Sequence, residues 1–215
     1  GNSINTPNAL DQLFILKHNI NSLPTPEWIA SNFFLEYAGA GSYGIVFHAT
    51  PFTLPTTLFA IKFTFGNSMR EAAIQALLTW FYVGIGNSEA TNSPFLKCYD
   101  WGKTQWNTNV AFDFFRRLSS DAIISLLGHY AYLPMTDITI IVMERHMGKT
   151  LFDYLWDPMT TPDDLFEILI QVILILHTIS SVVKFSHGDM SPSNIFVTKT
   201  QFPRVYHYKV TSSDE

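Results

Sequence analysis

Three groups of residues have side chains or backbone suited to chemistry. Gly39-Ala40-Gly41-Ser42-Tyr43-Gly44-Ile45-Val46 lies between two stretches rich in β-branched and aromatic residues. Glycines there let backbone N–H groups approach an anion with no Cβ in the way, although the same residues suit a plain glycine-rich hairpin. The segment after the glycines reads as a strand and not a helix, which argues against a dinucleotide-binding turn. In Phe59-Ala60-Ile61-Lys62 a lone cation sits in an apolar strand. It needs a partner there unless it snorkels to solvent, and phosphates under the glycine loop or Glu71 at the start of the next helix would serve. The third group is Ser186-His187-Gly188-Asp189-Met190-Ser191-Pro192-Ser193-Asn194. An Asp able to accept a hydroxyl proton, followed by an Asn amide oxygen able to ligate Mg²⁺, suits phosphoryl transfer, where positioning and charge neutralisation do most of the work. A capped turn is the alternative, since each of these residues favours turns.

These groups must be held by a folded chain. The 215 residues are 47% hydrophobic, 15% aromatic and 14% charged, a mixture that buries a core and does not stay unfolded. The 13 Lys+Arg against 18 Asp+Glu leave a formal charge of -5, which gives no general attraction for a phosphate backbone, so nucleic acid is not an expected partner. The one cysteine, Cys98, cannot form an internal disulfide, and a reducing intracellular setting, cytoplasmic or nuclear, is expected. The stretch 165–185 is the most apolar, but Glu167, Gln171, His177 and Lys184 interrupt it. It reads as a buried helix and not as a membrane span.

Periodicity and breakers give the element order. Residues up to about 31 read as helix and loop with Pro24 and Pro26 as breakers, and 33–65 as three strands with a turn over 51–57. A helix comes next over 68–82, with apolar Ala72, Ala73, Ala76, Leu77 and Trp80 at helical spacing. Residues 94–101 and 137–143 read as two more strands. Between them, 110–128 can form an amphipathic helix whose aromatic side would dock internally or on a protein partner. Thr161-Pro162-Asp163-Asp164 supplies an N-cap, a Pro at the first helical position and an acid at N3 for a helix reaching about residue 183, and a short strand comes after it at 195–197.

Taken in order, these residues resemble the protein-kinase-like family. The glycine loop matches G-x-G-x-x-G-x-V, Phe59-Ala60-Ile61-Lys62 resembles V-A-I-K, and the segment from Glu71 to Leu78 resembles the helix whose Glu pairs with that Lys. Val142-Met143-Glu144-Arg145-His146-Met147-Gly148 resembles the gatekeeper and hinge, and residues 187–194 the catalytic loop. The resemblance implies an α+β fold: a small antiparallel-sheet N-lobe with one main helix over 33–147, carrying an insertion at 102–135, then a partial, mainly helical C-lobe over 148–215. Residues 1–32 would be an extension. It also implies ATP and Mg²⁺ as cofactors. Gly39, Gly41 and Gly44 would cover the phosphates, and Lys62, held by Glu71, would bind the α- and β-phosphates. Val46 and Ala60 would roof the adenine and Phe196 would floor it. Met143 would line that pocket, while Glu144 and His146 would meet the adenine edge through backbone groups. Asp189 would be the catalytic base, Asn194 a metal ligand, and His187 a brace for the loop.

Departures from the family pattern bear on the substrate. Ser191 stands where most Ser/Thr protein kinases carry Lys, and Gly188 replaces the Arg that meets a phosphorylated activation loop. His-Gly-Asp with a small residue nearby resembles atypical kinases, small-molecule kinases of the aminoglycoside-phosphotransferase type and some kinases of large DNA viruses. No Asp-Phe-Gly occurs after Asn194, and Asp214 is the one candidate for a second, acidic metal ligand. The opening Gly1-Asn2-Ser3 lacks an initiator Met and reads either as residues added to the natural chain or as an internal start. The expected activity is ATP-dependent phosphotransfer to Ser/Thr of a protein substrate. The alternatives are a catalytically inactive kinase-like scaffold and a small-molecule kinase.

Overall fold

A computed structural model describes residues 25–41, 44–65, 69–84, 94–130, 135–183 and 190–198. The fold is α+β and divides into two units, 1–145 and 146–215. The first opens with helix α1 (Pro26–Asn32), where Thr25 Oγ1 accepts the Trp28 N–H at 3.2 Å and Pro26 takes the first helical position. Pro26 was expected as a breaker. It starts the helix instead, because its missing N–H is one the first turn leaves unpaired anyway.

Strands β1 (Phe33–Gly41), β2 (Gly44–Pro51), β3 (Phe59–Phe65), β4 (Cys98–Asn107) and β5 (Met135–Glu144) form one antiparallel sheet in the order β1-β2-β3-β5-β4. Residues directly opposite one another in such a sheet share a face, so the register sorts the side chains. Phe59, Ile61, Phe63 and Phe65 of β3 join Phe47, Ile138, Ile140 and Val142 in a buried core. Lys62 lies opposite Val46 on one side and Ile141 on the other, and Ala60 opposite His48 and Met143, all on the second face.

The core face is sealed by two helices from the segment expected as an insertion. α3 (Thr108–Leu118) and α4 (Ser120–Tyr130) are separated by Ser119, so the single helix expected over 110–128 is two. The Ser119 hydroxyl explains the break: its Oγ accepts from the Asp121 N–H at 3.2 Å, as an N-cap does. Phe114 and Phe115 of α3 pack with Phe63 and Trp106, the Phe63–Phe115 centroids 5.3 Å apart and edge to face. The aromatic side expected to meet either the lobe or a protein partner is thus occupied by the sheet. The sheet therefore carries helices on both faces and not one main helix alone. β4 also runs on to Asn107, beyond the expected end at 101. Thr104 and Trp106 turn inward, while Lys103 and Gln105 face out to bind Asp137 on β5.

Helix α2 (Met69–Gly84) belongs to the Lys62 face, with Ala72 fully buried. Hydrogen bonds tie it to the approach to β4: Gln75 Nε2 donates to the Leu96 carbonyl, and the Cys98 N–H donates to Thr79 Oγ1 at 2.8 Å.

The second unit contains β6 (Lys149–Thr150), α5 (Leu151–Leu155), α6 (Pro162–Val183), a 3₁₀ turn (Pro192–Asn194) and β7 (Phe196–Val197), with β6 and β7 antiparallel. Both helices begin with reciprocal caps. Thr161 Oγ1 accepts the Asp164 N–H at 3.2 Å while Asp164 Oδ2 accepts the Thr161 N–H at 2.9 Å, and Thr150 and Asp153 repeat the arrangement. α6 departs from the expected buried helix: Phe166 is 66% exposed and Ile173 63%, and Ile179 is its one buried side chain among the described residues. At 1.5 Å per residue this helix is about 33 Å long, and the two-residue strands and five-residue helix described in the same unit are too small to cover it. Over Pro162–Ser181 it is long and apolar enough to cross a membrane by length and composition, and it is the one such helix among the described residues.

The aromatic layer should dominate the stability of the first unit. Phe115→Ala is expected to cost about 3–5 kcal/mol in denaturant unfolding, whereas Phe166→Ala, at an exposed position, should change it by about 0.5 kcal/mol or less.

Candidate functional site

The second face of the five-stranded sheet gathers much of the expected nucleotide-holding set. Val46, Ala60, Lys62 and Met143 come from three adjacent strands and reach that face together through register alone. β3 is buried at every position but Lys62, whose side chain is 22% exposed. Lys62 Nζ is hydrogen-bonded to Glu71 Oε1 in the first turn of α2, an acid also favoured there by the positive end of the helix. Glu71 is 44% exposed, so water screens the pair and its contribution to stability is modest. Its consequence is geometric: it fixes a partly exposed ammonium beside the apolar residues Val46, Ala60 and Met143.

The glycine hairpin has unequal members. A Cβ on Gly44 would stand 2.2 Å from the Phe63 carbonyl oxygen, so the close approach of β2 to β3 admits no side chain. At Gly39 a Cβ would meet nothing within 4 Å. Gly39 therefore is not required by the chain's own packing, and the space above it is open. Gly41 ends β1 opposite Gly44, and Ser42 and Tyr43 lie outside the described residues.

Glu144 closes β5. Its backbone N–H donates to the Lys97 carbonyl at 2.8 Å, and its carboxylate Oε2 accepts the Lys97 N–H at 3.2 Å. The side chain, which the resemblance leaves without a role, thus anchors the segment between α2 and β4 to the end of β5. The boundary between the two units falls between Arg145 and His146. In the second unit, Asn194 ends the exposed 3₁₀ turn with its N–H donating to the Ser191 carbonyl at 3.0 Å, and Phe196 is 43% exposed on β7. Asn194 is an exposed residue, and its amide oxygen is a donor of the class Mg²⁺ takes. Among the described residues there is no cluster of three or more His, Cys, Asp or Glu that would add to it. His187, Asp189 and Asp214 lie outside the described residues.

One residue on the Lys62 face has no counterpart among the sequence-based candidates. His48, which lacks ligand spacing, stands opposite Ala60 and Glu36. Burial holds its imidazole below the usual histidine range, the nearby Arg145 guanidinium adds to this, and Glu36 partly opposes it. Its position in the alternation of β2, two residues after Val46, was the signal that could have found it.

The depressed His48 makes the fold sensitive to acid. The unfolded chain takes up the proton first, so this stability is complete above the unfolded histidine value and is lost as pH falls. The melting temperature is expected to drop on acidification through about 6.5, with a shallower slope in His48→Gln. Compared with known proteins, the sequence matches no family model and no curated protein, so the functional reading of the site rests on its own residues.

Proposed function

We propose that the chain is an ATP-dependent phosphotransferase acting on an alcohol group, with Ser/Thr of a protein as the acceptor. The observation that carries this reading is the Lys62–Glu71 pair on a sheet face shared with Val46, Ala60 and Met143. An apolar strip that can take a planar base, beside an ammonium held ready for phosphates, is what a nucleoside triphosphate asks of a protein surface. Gly39 supports it, since it leaves open backbone on β1 where a Cβ would meet nothing within 4 Å.

In this reading the first unit supplies Lys62 and the apolar strip for the nucleotide, and the second supplies the base that acts on the acceptor together with Phe196, His146 and Asn194. Lys62 carries the α- and β-phosphates, and Glu71 keeps its ammonium oriented. Phe196 offers the adenine an exposed ring to stack on, and Glu144 and His146 serve it through backbone groups. The Asp189 carboxylate takes the proton of the acceptor hydroxyl as that oxygen bonds to the γ-phosphorus and ADP leaves. Mg²⁺ neutralises phosphate charge when bound, and the Asn194 amide oxygen is one of its ligands.

The reading predicts that ATP with Mg²⁺ raises the melting temperature more than either alone, because a ligand that binds only the folded chain stabilises it by mass action. Asp189→Asn should abolish transfer to a protein acceptor and spare nucleotide binding, whereas Lys62→Met should weaken both. Transfer by Asp189→Asn at the wild-type rate would overturn the assignment of the base. No thermal shift with any ligand would replace the enzyme reading with that of a kinase-like binding scaffold.

A further inference from the structure

The side chain of His146 is drawn into more contacts than a residue needed only for its backbone. Nδ1 accepts the Gly148 N–H at 2.9 Å, Nε2 is 2.8 Å from Thr198 Oγ1, and the ring lies 4.8 Å from that of Phe196 at a tilt of 38°. The Gly148 N–H can only donate, so Nδ1 carries no proton. The neutral ring then holds its proton on Nε2 and donates it to Thr198. The fit is close enough to dictate a neighbour: a Cβ on Gly148 would stand 2.3 Å from His146 Cε1 and 2.3 Å from the Val197 carbonyl oxygen.

Backbone bonds run along the same seam. Lys149 is opposite Val197 and Thr150 opposite Phe196, and the Leu151 N–H donates to the Ile195 carbonyl at 2.7 Å. These bonds set where β7 lies, but a backbone ladder leaves the torsions of an exposed aromatic side chain free. The imidazole is the group that meets the Phe196 ring, and its two hydrogen bonds hold it from opposite sides while it does so.

We propose that His146 is a positioning residue, whose neutral imidazole clasps Gly148 and Thr198 and so holds the Phe196 ring in one orientation as a stacking surface for a nucleotide base. The inference rests on the proposed nucleotide site and adds to it, because that site uses His146 only through its backbone N–H. Gly148 is then the residue that lets the clasp close.

The full 215-residue chain provides the test. Nitrogen-15 NMR of the imidazole should find Nδ1 bare and Nε2 protonated. The Gly148 amide should exchange slowly with solvent, and faster in His146→Phe, which keeps a ring but neither hydrogen bond. Calorimetric titration with ATP and, separately, with inorganic tripolyphosphate distinguishes positioning of the base from a general loosening. His146→Phe and Gly148→Ala should weaken ATP by about tenfold and leave tripolyphosphate unchanged, the size expected for losing one or two hydrogen bonds. His146→Asn, whose Oδ1 can stand in for Nδ1, should recover part of that loss. A proton on Nδ1, or equal Gly148 exchange in wild type and His146→Phe, overturns the clasp. If ATP affinity falls in Lys62→Met but is unchanged in the His146 variants, the positioning role fails and the nucleotide reading stands. Parallel losses for ATP and tripolyphosphate in the His146 variants also overturn positioning. A wild-type chain that binds neither ligand overturns both readings.

Discussion

The register of β3 against its two neighbours is the constraint on which the first unit depends. Antiparallel pairing sends alternate residues to opposite faces, so a slip of one residue would move Lys62 into the aromatic core and bring Phe63 out in its place. Either exchange is costly, because an unpaired ammonium among Phe47, Phe63 and Phe115 would have no partner. The helices α3 and α4 therefore serve the opposite face without touching it. By supplying Phe114 and Phe115 to the core, they make one register much better than the next, and that register delivers Val46, Ala60, Lys62 and Met143 to a common surface.

The second unit achieves order differently. Its described strands are two residues each, too short to hold a register by ladder bonds alone. Side-chain hydrogen bonds take over: Thr150 and Asp153 cap α5 reciprocally, Lys149 reaches Asp157 at 3.0 Å, and His146 bridges Gly148 and Thr198. Hydrogen bonding to Thr150 holds the Asp153 carboxyl below the usual range, which keeps the cap acceptor charged. Local polar contacts thus do for residues 146–157 what aromatic packing does for the sheet.

Legibility in the sequence divides along the same line. A cation in an apolar run marked Lys62, and Thr161-Pro162-Asp163-Asp164 marked the start of α6, because in each case one local rule decides the outcome. β4 was harder to see. Lys103, Thr104 and Gln105 look like loop residues until Asp137 is placed across from them on β5, and that neighbour is far away in sequence. The split between α3 and α4 was hidden because apolar spacing continues across Ser119, and only its capping hydrogen bonds reveal the break. The His146 ring was hidden for the opposite reason: the ring's partners, Gly148 and Thr198, carry no charge that would announce them. For α6, apolar composition suggested burial, but burial is a property of neighbours and not of the helix itself.

The strand order carries a consequence for how the chain assembles. β5 is the last of the five strands in sequence yet lies between β3 and β4. During synthesis from the N-terminus, the outer edge of β3 stays unpaired until residues 135–144 emerge, and β4 has no strand partner at all. Local hairpins such as β1–β2 close quickly, whereas joining β3 to β5 requires a long loop to close first and is intrinsically slower. The apolar backbone of β3 is thus the segment most open to mispairing with other chains while the chain is being made.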